Sequence, residues 1–248
     1  MSGHSKWSSI KHKKAAVDAK RGKIFTRITK EITVAVRIGG SDPAANPRLR
    51  TAVQSAKSVN MPQQNIQRAI KNGTGELPGL HYEEHTYEGY GAAGVAIMAD
   101  VLTDNKTRTV AELRKIFSKN GGNMAESGCV NWMFHKKGLI FVDSDKADEE
   151  QLMSIVIDAG AEDIKAEENI FEIVTEVEDF ENVKNTLKKS NIEFSMAEIT
   201  MIPETTLKVE GKQAHQILKL MEELDDHDDI QKSYANFDIS EKDFAENG

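Results

Sequence analysis

Several stretches of this 248-residue sequence set out side chains in patterns that do chemistry in other proteins, and each lacks the part that would make it work. His81, Glu84 and His85 fit the H-x-x-E-H zinc pattern. That chemistry needs both histidines on one helical face. Here Leu77-Pro78-Gly79 precedes and a tyrosine-rich run with Gly89 and Gly91 follows, so the spacing predicts an extended segment and no zinc. Asp225, Asp226, Asp228 and Asp229 crowd carboxylates as a calcium loop does, but without the glycine and closing glutamate of an EF-hand, and they read as a solvated turn. Gly89, Gly91 and Gly94 match neither a Walker A loop nor G-x-G-x-x-G, and no G-x-S-x-G elbow activates a serine. The single cysteine, Cys129, has no thiol to pair with and reads as a small core residue in a reducing compartment. The reading is a protein that is not an enzyme, with no metal, no cofactor and no small-molecule substrate.

The pattern that remains is charge. Residues 1–77 hold 15 Lys and Arg against 4 Asp and Glu, a net +11, while the remainder holds 17 against 36, a net −19. The total of −8 hides a basic head on an acidic body, an asymmetry that points to a polyanionic partner for the head. At about 100° per residue, Lys20, Lys23, Arg27, Lys30 and Arg37 share an arc of roughly 100°, beside an apolar arc of Ile24, Phe25, Ile28, Ile32, Ala35 and Val36. One face is expected to bury and the other to stand exposed as a phosphate-binding strip. His4, Lys6, Trp7, Lys11, Lys13, Lys14 and Arg21 extend the candidate set, with His4 or Trp7 able to stack on an unpaired base. A second candidate patch, net +5, lies in residues 106–137. There Lys106, Arg108, Arg114, Lys115, Lys119, Lys136 and Lys137 face only Glu112 and Glu126, with Asn123 beside them.

The elements that must position these groups follow from period and punctuation. A long helix closes at Gly39-Gly40; Asn46-Pro47 caps and starts a second, carrying Leu49, Val53 and Ala56. Met61-Pro62 starts a third with Ile66, Ala69 and Ile70, closed by Asn72-Gly73. Beyond the linker come a strand at 81–88, a strand at 94–102, and a helix capped by Asp104 or Asn105 with Val110, Leu113 and Phe117 inward. Residues 138–203 read as βαββαβ, the order of a ferredoxin-like unit. Leu207 to Val209, a helix with Ile217, Leu218 and Met221, and a strand at 230–237 then lack partners, unless they complete the sheet begun before 138. The expected architecture is multidomain α and α+β: a helical bundle at 1–77, an α+β domain from 78–137 plus 204–240, and a ferredoxin-like α+β domain inserted at 138–203. No apolar run spans a membrane and the polar, basic start is no signal peptide, so a cytoplasmic location without membrane contact is expected.

Specific motifs sharpen this. Gly3-His4-Ser5-Lys6-Trp7, Lys30-Glu31-Ile32, Gly39-Gly40 with Asp42-Pro43, and Asn60-Met61-Pro62 resemble the YebC family. So do Tyr87-Glu88-Gly89-Tyr90-Gly91, Leu102-Thr103-Asp104-Asn105, Phe117 to Asn123, Glu126-Ser127-Gly128, Trp132-Met133-Phe134 and Asp228-Asp229-Ile230-Gln231. Ala92-Ala93 departs from the Pro-Gly usual in that family. The resemblance implies a helical domain followed by two α+β domains, one inserted in the other. It also implies kinship with the mitochondrial translational activator of cytochrome c oxidase. The family has been described both as transcriptional regulators and as factors that relieve ribosome stalling on proline-rich chains. Because the strip is mainly lysine, suited to phosphates rather than to base edges, rRNA on the ribosome is the expected partner. DNA is the alternative, argued by Asn60, Gln63, Gln64, Asn65, Gln67 and Arg68.

Overall fold

The computed structural model describes residues 21–77, 79–166 and 169–240, with the side chain of Arg21 outside that description. Helix α1 (Arg21–Gly39) is the middle layer of the head. Its arc of Phe25, Ile28, Ile32, Ala35 and Val36 packs on Leu49, Ala52 and Ala56 of α2 (Pro47–Ser58) and on Ile66 and Ala69 of α3 (Gln63–Thr74). One buried side chain joins two helix ends: Asn46 Nδ2 donates to the carbonyls of Ala35 (2.8 Å) and Gly40 (2.9 Å), and its Oδ1 accepts from the Leu49 amide at 3.0 Å. It closes α1 and caps α2, with Pro47 in the first turn where no amide is needed. The third helix does not stop at Asn72-Gly73. It runs to Thr74 and ends at Gly75, φ +82°. A Cβ on Gly73 would lie 2.6 Å from Val36 Cβ and 2.7 Å from Thr33 O, so this glycine serves the close crossing of α1 and α3 rather than a stop.

The body is built on two antiparallel sheets. In the first, β3 (Asn123–Met124), β1 (Glu83–Tyr90), β2 (Ala96–Thr103) and β9 (Ile230–Ala235) lie in that order. The last strand pairs with β2 in the register Ile97↔Ala235 and Met98↔Tyr234. Strand β2 is apolar apart from Asp100 and Thr103, and side chains on both its faces are covered. Val95, Ile97, Ala99 and Val101 meet α4 (Lys106–Lys119) and α7 (Gly211–Asp225), while Ala96 and Met98 meet Val130, Phe134 and Tyr234. The second sheet runs β5 (Ala161–Ala166), β6 (Ile170–Thr175), β4 (Phe134–Asp143), β7 (Met196–Pro203). Its core includes Leu152 and Val156 of α5 (Glu149–Asp158) and Phe180, Val183 and Leu187 of α6 (Phe180–Lys189). Strand β7 starts at Met196 rather than at 192, after Asn191 takes a left-handed conformation, φ 57°. Strands β8 (Leu207–Val209) and β10 (Phe237–Ile239) form a separate parallel pair.

Where Ala92-Ala93 departs from Pro-Gly, the backbone still takes the shape a glycine would: Ala93 has φ 58°, ψ 12°. No helix among the described residues is long and apolar enough to cross a membrane.

Candidate nucleic-acid interface

The basic strip of α1 does not stand open to solvent. Lys30 is 6% exposed; its Nζ lies 2.6 Å from Asp229 Oδ1 and donates to the carbonyls of Asp228 (3.0 Å) and Leu102 (3.4 Å). Arg27 donates to the carbonyls of Asp225 and His227 at the C-terminal end of α7, where unpaired carbonyls attract a cation. Burial lowers the Arg27 pKa, opposed by the nearby charges of Asp225, Asp226 and Asp228. Lys23, half-exposed, pairs with Asp226 at 3.2 Å. The exposed strip expected at Lys23, Arg27 and Lys30 is thus a seam between head and body. The aspartates read as a solvated turn are its acidic half. A signal for this was present in Val34, which falls on the cationic arc and is 3% exposed, as an apolar residue against a second packing surface should be.

Asp229 is the hub of the seam. Its Oδ2 accepts from Arg108 Nη2 and from the Thr109 hydroxyl, each at 2.7 Å, and its carbonyl accepts from the Leu102 amide at 2.8 Å. Burial would raise its carboxyl, but the bonds from Lys30, Arg108 and Thr109 outweigh that and hold it well below the usual carboxylate range. His227 Nδ1 accepts from the Asp229 amide at 3.1 Å, which leaves its Nε2 to donate to Glu112 Oε2, 2.9 Å away. Glu112, His227 and Asp229 lie close enough to share a cation. Yet both Asp229 oxygens and His227 Nδ1 are already engaged by protein donors, so the set is an internal network rather than a metal centre.

The second expected patch divides. Arg108 is committed to Asp104 and Asp229, Lys119 to Glu223 at 2.8 Å, and Lys137 to Glu162 and Glu176 at 2.6 Å each. Lys106, Arg114 and Lys115 are exposed on α4, on one side of the first sheet, whereas Lys136 and Lys137 belong to β4 in the second sheet. Continuity in sequence does not become one surface here. Asn123 is exposed in β3, beside Tyr90. Glu84 and His85 of the zinc-like motif sit in β1 on opposite faces of the strand, Glu84 bonded to Arg48 and His85 within 3.1 Å of Glu83. They do not converge on a metal.

What stays open on the head is α3. Between Asp42 and Glu76 the chain holds five basic residues, Arg48, Arg50, Lys57, Arg68 and Lys71, and no acidic one. Gln63, Gln67, Lys71, Gln64 and Arg68 lie in that angular order over an arc of roughly 140° at 100° per residue. All five are exposed, and none has a side-chain partner among the described residues. Ile66 and Ala69 on the opposite side fix the helix to α1. Lys57 and Asn60, the latter at φ 57°, lead into this face from the connecting turn. The sequence had offered the amides of 60–71 only as an argument for DNA, because α1 carried the more one-signed row. Arg37 is exposed at the end of α1, donating to Leu80 O at 3.4 Å. His4, Lys6, Trp7, Lys11, Lys13, Lys14 and Lys20 lie outside the described residues.

Among the described residues, the surface that stands out is an acid-free, exposed helical face on a head packed against a two-sheet body. Residues 5–76 match the model of the TACO1/YebC protein N-terminal domain, and residues 82–237 that of the TACO1/YebC second and third domain. The chain belongs to the TACO1/YebC family. It is 56% identical over 241 residues to a probable transcriptional regulatory protein of Desulfosudis oleivorans, covering 97% of this chain and 98% of that one. A protein of the same description from Natranaerobius thermophilus is 58% identical over 244 residues, with the same two coverages. The crystal structure of the conserved hypothetical protein Aq1575 from Aquifex aeolicus superposes with a TM-score of 0.80 at 45% identity, over 92% of this chain and 94% of that one. The three-helix region followed by an α+β region with two antiparallel sheets is common to both.

Proposed function

We propose that this protein binds structured RNA through α3 and acts on the ribosome as a translation factor that assists synthesis of proline-rich stretches. The observation that carries the reading is the α3 face: five exposed amide or cationic side chains, no acidic neighbour in sequence from 43 to 75, and no side-chain partner among the described residues. Glutamine is donor and acceptor at once, as is the ribose 2′-hydroxyl, so Gln63, Gln64 and Gln67 suit an RNA minor groove or loop. Lys57, Arg68 and Lys71 supply phosphate contacts, and the basic residues 4–21 add to them. Residues 1–77 then form the binding head, 78–137 with 204–240 an α+β domain, and 138–203 a ferredoxin-like domain inserted in it. The strand order β5-β6-β4-β7 supports that last assignment. Help with proline synthesis would come from orienting the reacting ends by binding.

DNA is the second reading, favoured by Gln63, Gln64, Gln67 and Arg68 standing in the first two turns of one helix, where a recognition helix presents its base-contacting side chains. Gradient sedimentation of the tagged full chain, with and without nuclease, separates the two. Co-migration with large ribosomal subunits supports the translation reading. Absence from ribosomes together with protection of a defined promoter would replace it with the DNA one.

A further inference from the structure

The segment 125–134 crosses the face of the first sheet opposite to α4 and α7, and it is unusually well anchored for a loop. The carboxylate of Glu88, 3% exposed in β1, accepts from three of its amides: Gly128 at 2.7 Å, Val130 at 2.6 Å and Asn131 at 3.0 Å. Burial raises this carboxyl, and the three amides outweigh it and leave it below its ordinary value. The ends are held too, Ala125 N donating to Glu88 O and Glu204 N to Met133 O, each at 2.9 Å. Val130 and Phe134 are buried beneath.

From this fixed loop one indole points outward. Trp132 is 61% exposed and is the only aromatic among the exposed large apolar side chains of the described residues. Its Nε1 donates to the Cys129 carbonyl at 3.0 Å, a carbonyl that also accepts from Tyr90 Oη at 3.3 Å. The ring is thereby oriented and its one polar group satisfied, so what it offers a partner is a π-face whose ordering cost is already met. The exposed side chains around it in sequence are polar: Glu126, Ser127, Asn131, His135 and Lys136. These sequence neighbours offer an apolar peptide no second exposed anchor. A nucleobase needs only the ring face, and such stacking tolerates any base. Lys136, four residues further along the chain, is exposed and without a partner among the described residues. Glu126 and Glu204 leave the surroundings of mixed sign, so the base rather than the backbone is what this site selects.

We propose that Trp132 is a stacking platform for an unpaired base of bound RNA, a second contact outside the α3 face. The proposal rests on the RNA reading above and adds to it a site and a ligand part. The chain has two tryptophans, Trp7 and Trp132, so the full-length Trp7→Phe variant makes Trp132 the sole indole reporter while keeping a ring at position 7. It is titrated with a 5′-labelled RNA hairpin carrying an eight-nucleotide loop, and with the same hairpin made abasic in the loop. Label anisotropy reports binding independently of indole fluorescence. The expected result is at least twofold quenching by the base-bearing loop and none by the abasic one. Trp132→Ala should bind about tenfold more weakly with unchanged thermal unfolding, and Trp132→Phe should restore most of the affinity. Binding seen by anisotropy without quenching overturns the platform and leaves the RNA reading standing. No binding of either hairpin overturns both.

Discussion

Two rows of polar and cationic side chains on the head, one on α1 and one on α3, look alike as sequence and have opposite fates. Lys23, Arg27 and Lys30 lie against Asp225, Asp226, Asp228 and Asp229, and the deepest of them, Lys30, is 6% exposed. Gln63, Gln64, Gln67, Arg68 and Lys71 have nothing of the protein across from them among the described residues. A one-signed row therefore announces a counter-charge without saying whose. The counter-charge of α1 is the chain's own acidic turn, nearly 200 residues away, whereas α3 has none among the described residues, which is why it is the face proposed to meet a partner.

The comparison is most easily broken at the bottom of the α1 row. Removing one partner of a buried, hydrogen-bonded pair leaves the other charge uncompensated, so Asp229→Ala, which strands Lys30 and takes from Arg108 one of its carboxylate partners while leaving Asp104, should cost about 3–5 kcal/mol. Urea unfolding followed by circular dichroism measures this, and a loss under about 1 kcal/mol would mean that the seam does not hold the head. Acid should act on the same carboxylate. Its folded pKa is depressed, so its contribution is complete above the ordinary aspartate value of about 3.9 and is lost as pH falls through the lower folded value. Stability measured from pH 6 downward should decline more steeply in the native chain than in Asp229→Ala.

A smaller effect, of opposite sign, is expected away from both rows. Ala93 holds a left-handed conformation that costs an L-residue about 1–2 kcal/mol. Ala93→Gly gives back part of this to unfolded-state entropy, so a net gain of about 0.5–1 kcal/mol is expected in the same denaturation assay. At the rim of the seam, Lys23 and Asp226 are both about half exposed, and Lys23→Ala should cost less than about 1 kcal/mol. A gradient from Lys30 down to Lys23 is the signature of a packed seam; equal losses along the row would contradict it.

The helices and most strands were legible because their signals are local. Gly39-Gly40, Asn46-Pro47 and the continuous apolar run of β2 each specify an element from within a few residues. The βαββαβ order read at 138–203 likewise follows from neighbours in the chain. The end of α3 was not legible, because Gly73 looks like a stop and serves instead a contact with Val36 and Thr33, 37 and 40 residues away in sequence. Nor was the seam, since charge pairing between residues 23–30 and 225–229 has no period to read. Val34 within the cationic arc was the one local clue. The anchored loop of Trp132 was seen only as a family motif, because the three amides that fix it converge on a carboxylate 40 residues earlier.

The most direct test of the account asks which row meets RNA. The full chain carrying Gln64→Ala, Arg68→Ala and Lys71→Ala is compared with the native chain for binding to a labelled rRNA hairpin at fixed salt, with thermal unfolding measured in parallel. The account predicts at least tenfold weaker binding, with stability unchanged within about 0.5 kcal/mol, because these side chains are exposed and have no hydrogen-bond or ion-pair partner among the described residues. Native affinity in this variant would contradict it, placing the RNA surface elsewhere on the protein.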